Sequence, residues 1–499
     1  MRTDWLARNA QYYPQKTALI WQPENRRLSY LECDHLGNQT AHWLLTQYNL
    51  KVGDRVAVLA ENSLAHILLF FACQKVGLIL VPLNYRLTPS EVQYIVEDSE
   101  PAVLFYGDAF AEYVTNAKPI CLPITKVLQV IENKELSLPS FQQNPDDAVM
   151  ILYTSGTTGR PKGAMITHKM LAFNAYNTIM RLDLTTKDIS FNAAPFYHTG
   201  GWNVLLTPFL LLGATTILLD RFDPAEILEL GENEQMSIIW GVPTMMKMLS
   251  DHPNFGRVNL QSVRYAIVGG EPMPIPLIQT WQQKGVPIRQ GFGMTEVGPN
   301  CFSLPEEDAI RKAGSIGFPN FYVDVRVVDD FGNDVPAGTT GELLMRGPMT
   351  TSGYWRNEPA TAQALQNEWF YTGDLVRVDE EGYFYVAGRK KDLYISGGEN
   401  VYPAEVEKVL YQHPAVAEAA VIGIPDAKWG ETGLAFIALM PNQNATEAEI
   451  IAHCQRFLAR YKIPKYVHFL PELPKGHSGK ILKRELADRL NTPNTTSTL

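Results

Sequence analysis

Cysteine is scarce and scattered. Only Cys33, Cys73, Cys121, Cys301 and Cys454 occur in 499 residues, and no two stand in a Cys-x-x-Cys spacing. That scatter suggests neither a zinc site nor a disulfide framework, so a reducing cytoplasm is the expected setting. Long hydrophobic runs are missing too. The most apolar stretch, 204–219, is interrupted by Thr207, Pro208, Gly213, Thr215 and Thr216, too short and too broken to span a bilayer. The opening residues, Met1-Arg2-Thr3-Asp4-Trp5, hold no apolar core of signal-peptide length. There is no basic block: 43 Lys and Arg against 53 Asp and Glu leave a net charge of −10, which argues against nucleic acid as a main partner. No clear basic amphipathic helix points to a membrane surface. The expectation is a soluble cytoplasmic protein without an integral membrane segment.

What is present is a globular composition, 45 % hydrophobic and 19 % charged, in a chain long enough for several domains. Over 1–120, short apolar runs at 17–21, 27–30, 56–59, 78–83 and 102–106 read as strands, and 66–74 as a buried helix. Residues 133–147 are polar and read as a surface connection. Strand-like runs resume at 149–152, 189–194, 215–219, 237–240, 263–268 and 286–290. Such alternation predicts a largely parallel sheet with helices on its faces, and two blocks of it predict two packed α/β subdomains. After about Gly317, strands at 323–328 and 341–345, joined through Asp330-Phe331-Gly332-Asn333 and Pro336-Ala337-Gly338, predict a small β-rich subdomain reaching about Ala387. The last hundred residues read as a separate α+β unit, with a helix at 403–411 and strands at 416–423 and 434–439. In it, Thr446-Glu447-Ala448-Glu449 is a capping box opening a helix to about Arg460. The tail 491–499 is polar, rich in Thr and Asn, and predicted to be disordered.

One stretch organises the chain: Tyr153-Thr154-Ser155-Gly156-Thr157-Thr158-Gly159-Arg160-Pro161-Lys162-Gly163, directly after a buried strand. Glycines allow close backbone approach, N–H and hydroxyl groups can ring an anion, and Arg160 and Lys162 offset its charge. It is not a Walker A loop, because Lys162 is followed by Gly163 and not by Ser or Thr. The order of residues resembles the signature of the adenylate-forming superfamily, which includes acyl-CoA synthetases, nonribosomal adenylation domains and firefly luciferase. Further stretches match that family in order along essentially the whole chain.

The resemblance implies roles residue by residue. In Pro195-Phe196-Tyr197-His198-Thr199-Gly200-Gly201-Trp202, His198 would lie beside the carboxylate being activated, while Trp202 is either a gate to an acyl tunnel or a plain core residue. Gly270, Glu271 and Pro272 would border the adenine. Gln290-Gly291-Phe292-Gly293-Met294-Thr295-Glu296 would continue the ATP site, with Thr295 on the α-phosphate and Glu296 holding Mg²⁺; Phe292 stands where many relatives have tyrosine. Val242, Gly270 and Met294 would join His198 and Trp202 in walling the acyl pocket. Asp374 and Arg389 would hold the ribose, Lys391 would be the hinge, and Ser396, Gly397, Gly398 and Glu399 would form a turn on the CoA side. Lys480, in Gly476-His477-Ser478-Gly479-Lys480, would enter during adenylation, between substrate carboxylate and α-phosphate. The implied domains are 1–388, a hinge at 389–391, and a mobile unit at 392–490.

The resemblance therefore implies an ATP- and Mg²⁺-dependent acid:CoA ligase, working through an acyl-adenylate on a medium or long fatty acid. An aryl or o-succinylbenzoate:CoA ligase shares all the ATP motifs. Nonribosomal adenylation domains commonly carry an Asp before the substrate pocket, which Asn192-Ala193-Ala194 does not supply. A luciferase-type oxygenase and a nucleotide-binding protein without catalysis are the remaining alternatives, the last weakened by the retention of Glu296 and Lys480. The partners are then a carboxylic acid, ATP and CoA, with a homodimer left open.

Overall fold

The structure, a computed structural model, describes residues 3–115, 117–129, 144–154, 160–476 and 481–490. Ser155, Gly156, Thr157, Thr158 and Gly159 of the phosphate loop, Lys480, the tail 491–499 and most of the 133–147 connection lie outside the described residues.

Contacts divide the chain into two compact units: Met1–Val325 with Leu344–Tyr371, and Arg326–Leu343 with Thr372–Leu499. The β-rich stretch is thus shared out. Its segments 326–343 and 372–387 group with the carboxyl-terminal unit, whereas the resemblance implies a boundary at 388.

In the first unit, one sheet runs in the order Ile120–Pro123, Val103–Tyr106, Arg55–Leu59, Ile79–Pro82, Ala148–Thr154, Lys162–Thr167. Its strands are parallel except for the last, which returns antiparallel to Ala148–Thr154. The helix Leu64–Val76, Leu-Ala-His-Ile-Leu-Leu-Phe-Phe in its first two turns, is buried on every side, as an all-round apolar helix must be. A second series, Ile238–Gly241, Tyr265–Val268 and Ile288–Met294, is parallel, and Gly298–Leu304 and Ser315–Pro319 extend it antiparallel.

The remaining sheet corrects the expectation of two blocks contiguous in sequence. Its order is Arg26–Ser29, Thr17–Trp21, Thr215–Leu218, Ile189–Asn192, so the first hairpin joins strands of the second block. Leu19 pairs parallel with Thr216 and Trp21 with Leu218. Buried polar groups fix the arrangement: Tyr30 Oη donates to Ala214 O at 2.6 Å, Asn9 Nδ2 to Leu210 O at 2.7 Å, and Thr215 Oγ1 to Thr17 O at 2.7 Å.

The second unit has a sheet of Glu399–Val401, Tyr394–Ser396, Gly430–Leu439 and Val416–Asp426, with Tyr466–Phe469 added parallel to Gly430–Leu439. The helices Pro403–Leu410 and Glu447–Phe457 bury Val406, Leu410, Ile450 and Cys454 in a core with Val421 and Ile437. The Thr446–Glu449 capping box is formed, both bonds present. Its helix stops at Phe457, short of Arg460, because Leu458 is already extended. Among the described residues no helix is long and apolar enough to cross a membrane.

Candidate active site

The phosphate loop is described by its two stems. Thr154 and Lys162 face each other at the mouth of the Ala148–Thr154/Lys162–Thr167 hairpin. The helix Pro89–Ser99 braces both stems: Tyr153 Oη donates to Asp98 Oδ2 at 2.5 Å, and the Arg160 guanidinium lies 5.7 Å from the Tyr94 ring centroid. Burial, reinforced by the Asp98 bond, raises the Tyr153 pKa, so this phenol stays protonated and donates. Gly163 is required by space, since a Cβ there would stand 2.6 Å from Ile151 Cγ2. Lys162 is half-buried, its ammonium 5.3 Å from the centroid of the Tyr354 ring.

Loops at the carboxyl ends of parallel strands are where open α/β sheets bind ligands. Three such ends, after Ile238–Gly241, Tyr265–Val268 and within Ile288–Met294, carry Val242, Gly270 to Pro272, and Gly291 to Thr295. Gly270 has φ +84°, and a Cβ there would meet Val242 Cγ1 at 3.4 Å, which puts two of the expected pocket residues side by side. Glu271 and Pro272 are exposed beyond it. Gln290 is buried and holds that turn from below: its Nε2 donates to Glu271 O at 3.0 Å, and its Oε1 accepts from Met273 N at 3.2 Å. It thus shapes the turn expected to border the adenine.

The glycine-rich run beyond the strand expected at 286–290 continues that strand to Met294. Gly291 to Met294 pair antiparallel with Gly298–Leu304, Phe292 opposite Phe302 with ring centroids 5.8 Å apart. Gly293 allows this, because any Cβ would fall 2.2 Å from Gly298 O. Thr295 and Glu296 therefore stand at a hairpin tip, anchored by buried Val297. Glu296 O accepts from Thr351 N at 2.7 Å, and Glu296 Oε1 accepts from Tyr354 Oη at 3.0 Å. Among the described residues no group of three or more His, Cys, Asp or Glu gathers at a point. A single carboxylate fits Mg²⁺, which takes one or two protein carboxylates and completes its shell with phosphate oxygens and water.

Where the acid is expected, the Pro195–His198 turn enters a short helix, Thr199–Asn203. Buried asparagines, which no motif flagged, hold this segment. Asn62 donates to Ala194 O at 2.9 Å and accepts from Phe196 N at 3.1 Å. Asn192 donates to Gly201 O at 2.7 Å, and Asn174 to Asn203 O at 2.7 Å. The rings of Tyr85 and His198 lie 5.2 and 4.6 Å from that of Tyr197, whose phenol is pushed up to about 12 by burial. Gly200 sits against Trp240, a Cβ there meeting its Cη2 at 3.5 Å. Trp202 is 0 % exposed, packed 4.5 Å from Phe196 and 5.1 Å from Phe70 between ring centroids, with its Nε1 donating to Phe196 O. This burial fits the core reading of Trp202.

In the second unit, Asp374 and Arg389 are register partners on neighbouring antiparallel strands, Arg389 Nε 2.7 Å from Asp374 Oδ1. The two expected ribose residues are thus brought together. Lys391 is exposed in the 3₁₀ turn Lys390–Asp392, next to Lys390, which is tied to Glu342 at 3.0 Å and Asp330 at 2.9 Å. Ser396 and Glu399 pair across Gly397 and Gly398, whose φ values of +62° and +87° make a tight hairpin turn.

An AMP-binding enzyme family profile matches residues 6–355, and the AMP-binding enzyme C-terminal domain matches 405–480. The chain is 38 % identical to a feruloyl-CoA synthase of Amycolatopsis sp, over 97 % of this chain and 98 % of that one. It is 35 % identical to the long-chain-fatty-acid–CoA ligase FadD13 of Mycobacterium tuberculosis, over 97 % and 98 %. The structure of o-succinylbenzoate coenzyme A synthetase from Bacillus subtilis, in complex with ATP and magnesium ion, matches with a TM-score of 0.89 at 32 % identity, over 98 % of this chain and 100 % of that one. The chain belongs to the AMP-binding enzyme family, as an AMP-forming acid:CoA ligase that uses ATP, Mg²⁺ and CoA.

Proposed function

We propose that the acid is aromatic, a ring-bearing carboxylic acid of the cinnamate or benzoyl type. The observation that carries this reading is the aromatic character of the 195–201 segment, where the rings of Tyr85, Tyr197 and His198 adjoin in series and Trp240 abuts Gly200. Offset and edge-on packing of a substrate ring suits such a wall. The fatty-acid expectation leaned on the Gly200-Gly201-Trp202 cluster, and the burial of Trp202 in the core weakens that lean. The feruloyl and o-succinylbenzoate relatives act on aromatic acids by their names, while FadD13 keeps a long-chain acid as the second reading.

In this reading the substrate carboxylate attacks the α-phosphorus of ATP and pyrophosphate leaves, so two anions must be brought together. Position and charge lower that barrier more than proton transfer does. Lys162 and the loop N–H groups offset phosphate charge, His198 and its neighbours seat the carboxylate, and Lys480 supplies a cation at the reacting oxygens. When bound through Glu296, Mg²⁺ neutralises phosphate charge. No protein nucleophile is required. In keeping with this, burial raises the thiol pKa of Cys33, Cys73 and Cys301, which makes them poor nucleophiles. Thiol attack by CoA on the acyl-adenylate then releases AMP. We assign the hinge to 389–391, with Lys391 at its centre, and the CoA-side turn to Ser396–Glu399. Five free cysteines and the intracellular substrates ATP and CoA support a cytoplasmic setting.

The test is AMP release with ATP and Mg²⁺, with and without CoA, across hydroxycinnamates, benzoates and straight-chain acids. CoA-dependent turnover on ring-bearing acids is the expected result. An optimum confined to long straight chains would discard the aromatic reading, and no turnover with any acid would discard the ligase.

A further inference from the structure

The run Thr351-Ser352-Gly353-Tyr354-Trp355-Arg356 lies outside the motifs that carry the family resemblance. In the first unit it lies along the return strand of the phosphate loop. Met165 N donates to Gly353 O at 3.0 Å, Trp355 N donates to Gly163 O at 2.7 Å, and Tyr354 bridges antiparallel to Ala164. Trp355 Nε1 also donates to Asp98 O at 3.2 Å, on the helix that braces both stems. The same run grips the Thr295-Glu296 tip, through Thr351 N and through the Tyr354 phenol, 3.0 Å from Glu296 Oε1. The Tyr354 ring faces the Lys162 ammonium at 5.3 Å. One side chain thus touches a loop cation with its face and a carboxylate with its hydroxyl.

A carboxylate that offers one oxygen to a hard cation binds better when a second-layer donor fixes the other. A neutral phenol does this without cancelling the carboxylate's charge, as a direct lysine pair would. The intervening ring keeps Lys162 from closing onto Glu296, so its charge remains for phosphate. We propose that Tyr354 is a positioning residue for the Mg²⁺–nucleotide complex, orienting Glu296 through its hydroxyl and holding Lys162 apart through its ring. This rests on the assignment of Glu296 to Mg²⁺ above.

Tyr354→Phe removes the hydroxyl while keeping the ring, the backbone bridge and the Lys162 contact. Calorimetry would give the Kd of ATP with Mg²⁺ and with EDTA, and kinetics the Mg²⁺ concentration for half-maximal pyrophosphate release. The expected result is a rise of about tenfold in both Mg²⁺-dependent quantities, equivalent to about 1.4 kcal/mol, the scale of one hydrogen bond to a charged group. The EDTA value and the thermal midpoint should stay at the wild-type level. Tyr354→Leu, which also removes the seat of Lys162, should weaken binding in EDTA as well. Unchanged Mg²⁺ dependence in Tyr354→Phe would overturn the proposal, as would equal weakening with and without Mg²⁺. Failure of the ligase reading shows differently: the wild-type protein would release no AMP, yet its Mg²⁺-dependent ATP binding and the response to Tyr354→Phe would still be measurable.

Discussion

Gly397→Ala should separate the two half-reactions. At this position two costs coincide. The backbone is left-handed, φ +62°, which a non-glycine residue adopts at about 1–2 kcal/mol. A Cβ would also stand 2.6 and 2.8 Å from Cε3 and Cζ3 of Trp429. The indole can yield only by rotating its own side chain, because the Trp429 backbone is held: Gly397 N donates to Trp429 O at 2.8 Å and Trp429 N donates to Asp426 Oδ1 at 2.9 Å. Overpacking of this kind costs about 1–3 kcal/mol, so the native turn loses roughly 2–5 kcal/mol in all. Its neighbour is the control. Gly398 has φ +87° but nothing within 4 Å of a Cβ, so Gly398→Ala carries only the backbone cost. If the turn serves thiol transfer, its loss raises the barrier of that step alone. Pyrophosphate exchange, which reports adenylation, should stay within about twofold, while CoA-dependent release of AMP from preformed acyl-adenylate falls by at least about 30-fold, a factor set by about 2 kcal/mol. Gly398→Ala should lose roughly five- to thirtyfold in the same step, as about 1–2 kcal/mol dictates. The reasoning fails if both half-reactions fall together, or if Gly397→Ala costs no more than Gly398→Ala.

Trp202→Ala should destabilise the protein by about 3–5 kcal/mol through the cavity it leaves, with the ranking of acids unchanged; a new preference for longer chains would restore the gate. A third expectation concerns pH. Burial lowers the pKa of His66 to about 3 and that of His168 to about 4, below the unfolded value of about 6.5. Between those values the unfolded chain binds more protons, so stability rises with pH and is lost as pH falls from about 6.5 toward 4. Two such histidines give a slope of up to about 2.7 kcal/mol per pH unit. Denaturant melts at pH 7, 6 and 5 would measure it, and a slope unaltered by His66→Gln would show that His66 is not the source.

The strands legible in the sequence were those with continuous apolar runs, such as Thr17–Trp21 and Tyr265–Val268, whose faces are both covered. The capping box at Thr446 was equally legible, because a cap is a local bond between side chain and backbone. Partner choice was not. Nothing in the residues 17–21 says that they pair with 215–218 in preference to 55–59, since both edges offer the same hydrogen bonds. The strand expected at 286–290 stopped short of Gly291 to Met294 because glycine has no strand propensity, yet Gly293 is what lets the two strands of its hairpin approach. The contiguous motifs gave the site residues in outline. What supports them did not show, because Asn62, Asn174 and Tyr354 act on loops far from them in sequence.

The pairing of the first hairpin also bears on how the chain is made. Thr17 and the Thr215 that caps it are 198 residues apart. At roughly 5–20 residues per second, a ribosome delivers the second partner about 10–40 s after the first. Through that interval the strand edges of 17–29 lack their native partner, and sticky nascent strands are the species that misassemble or recruit chaperones. Synthesis rate, and not only final stability, should therefore govern the yield of this protein, with pauses after residue 218 helping and pauses before 189 harming.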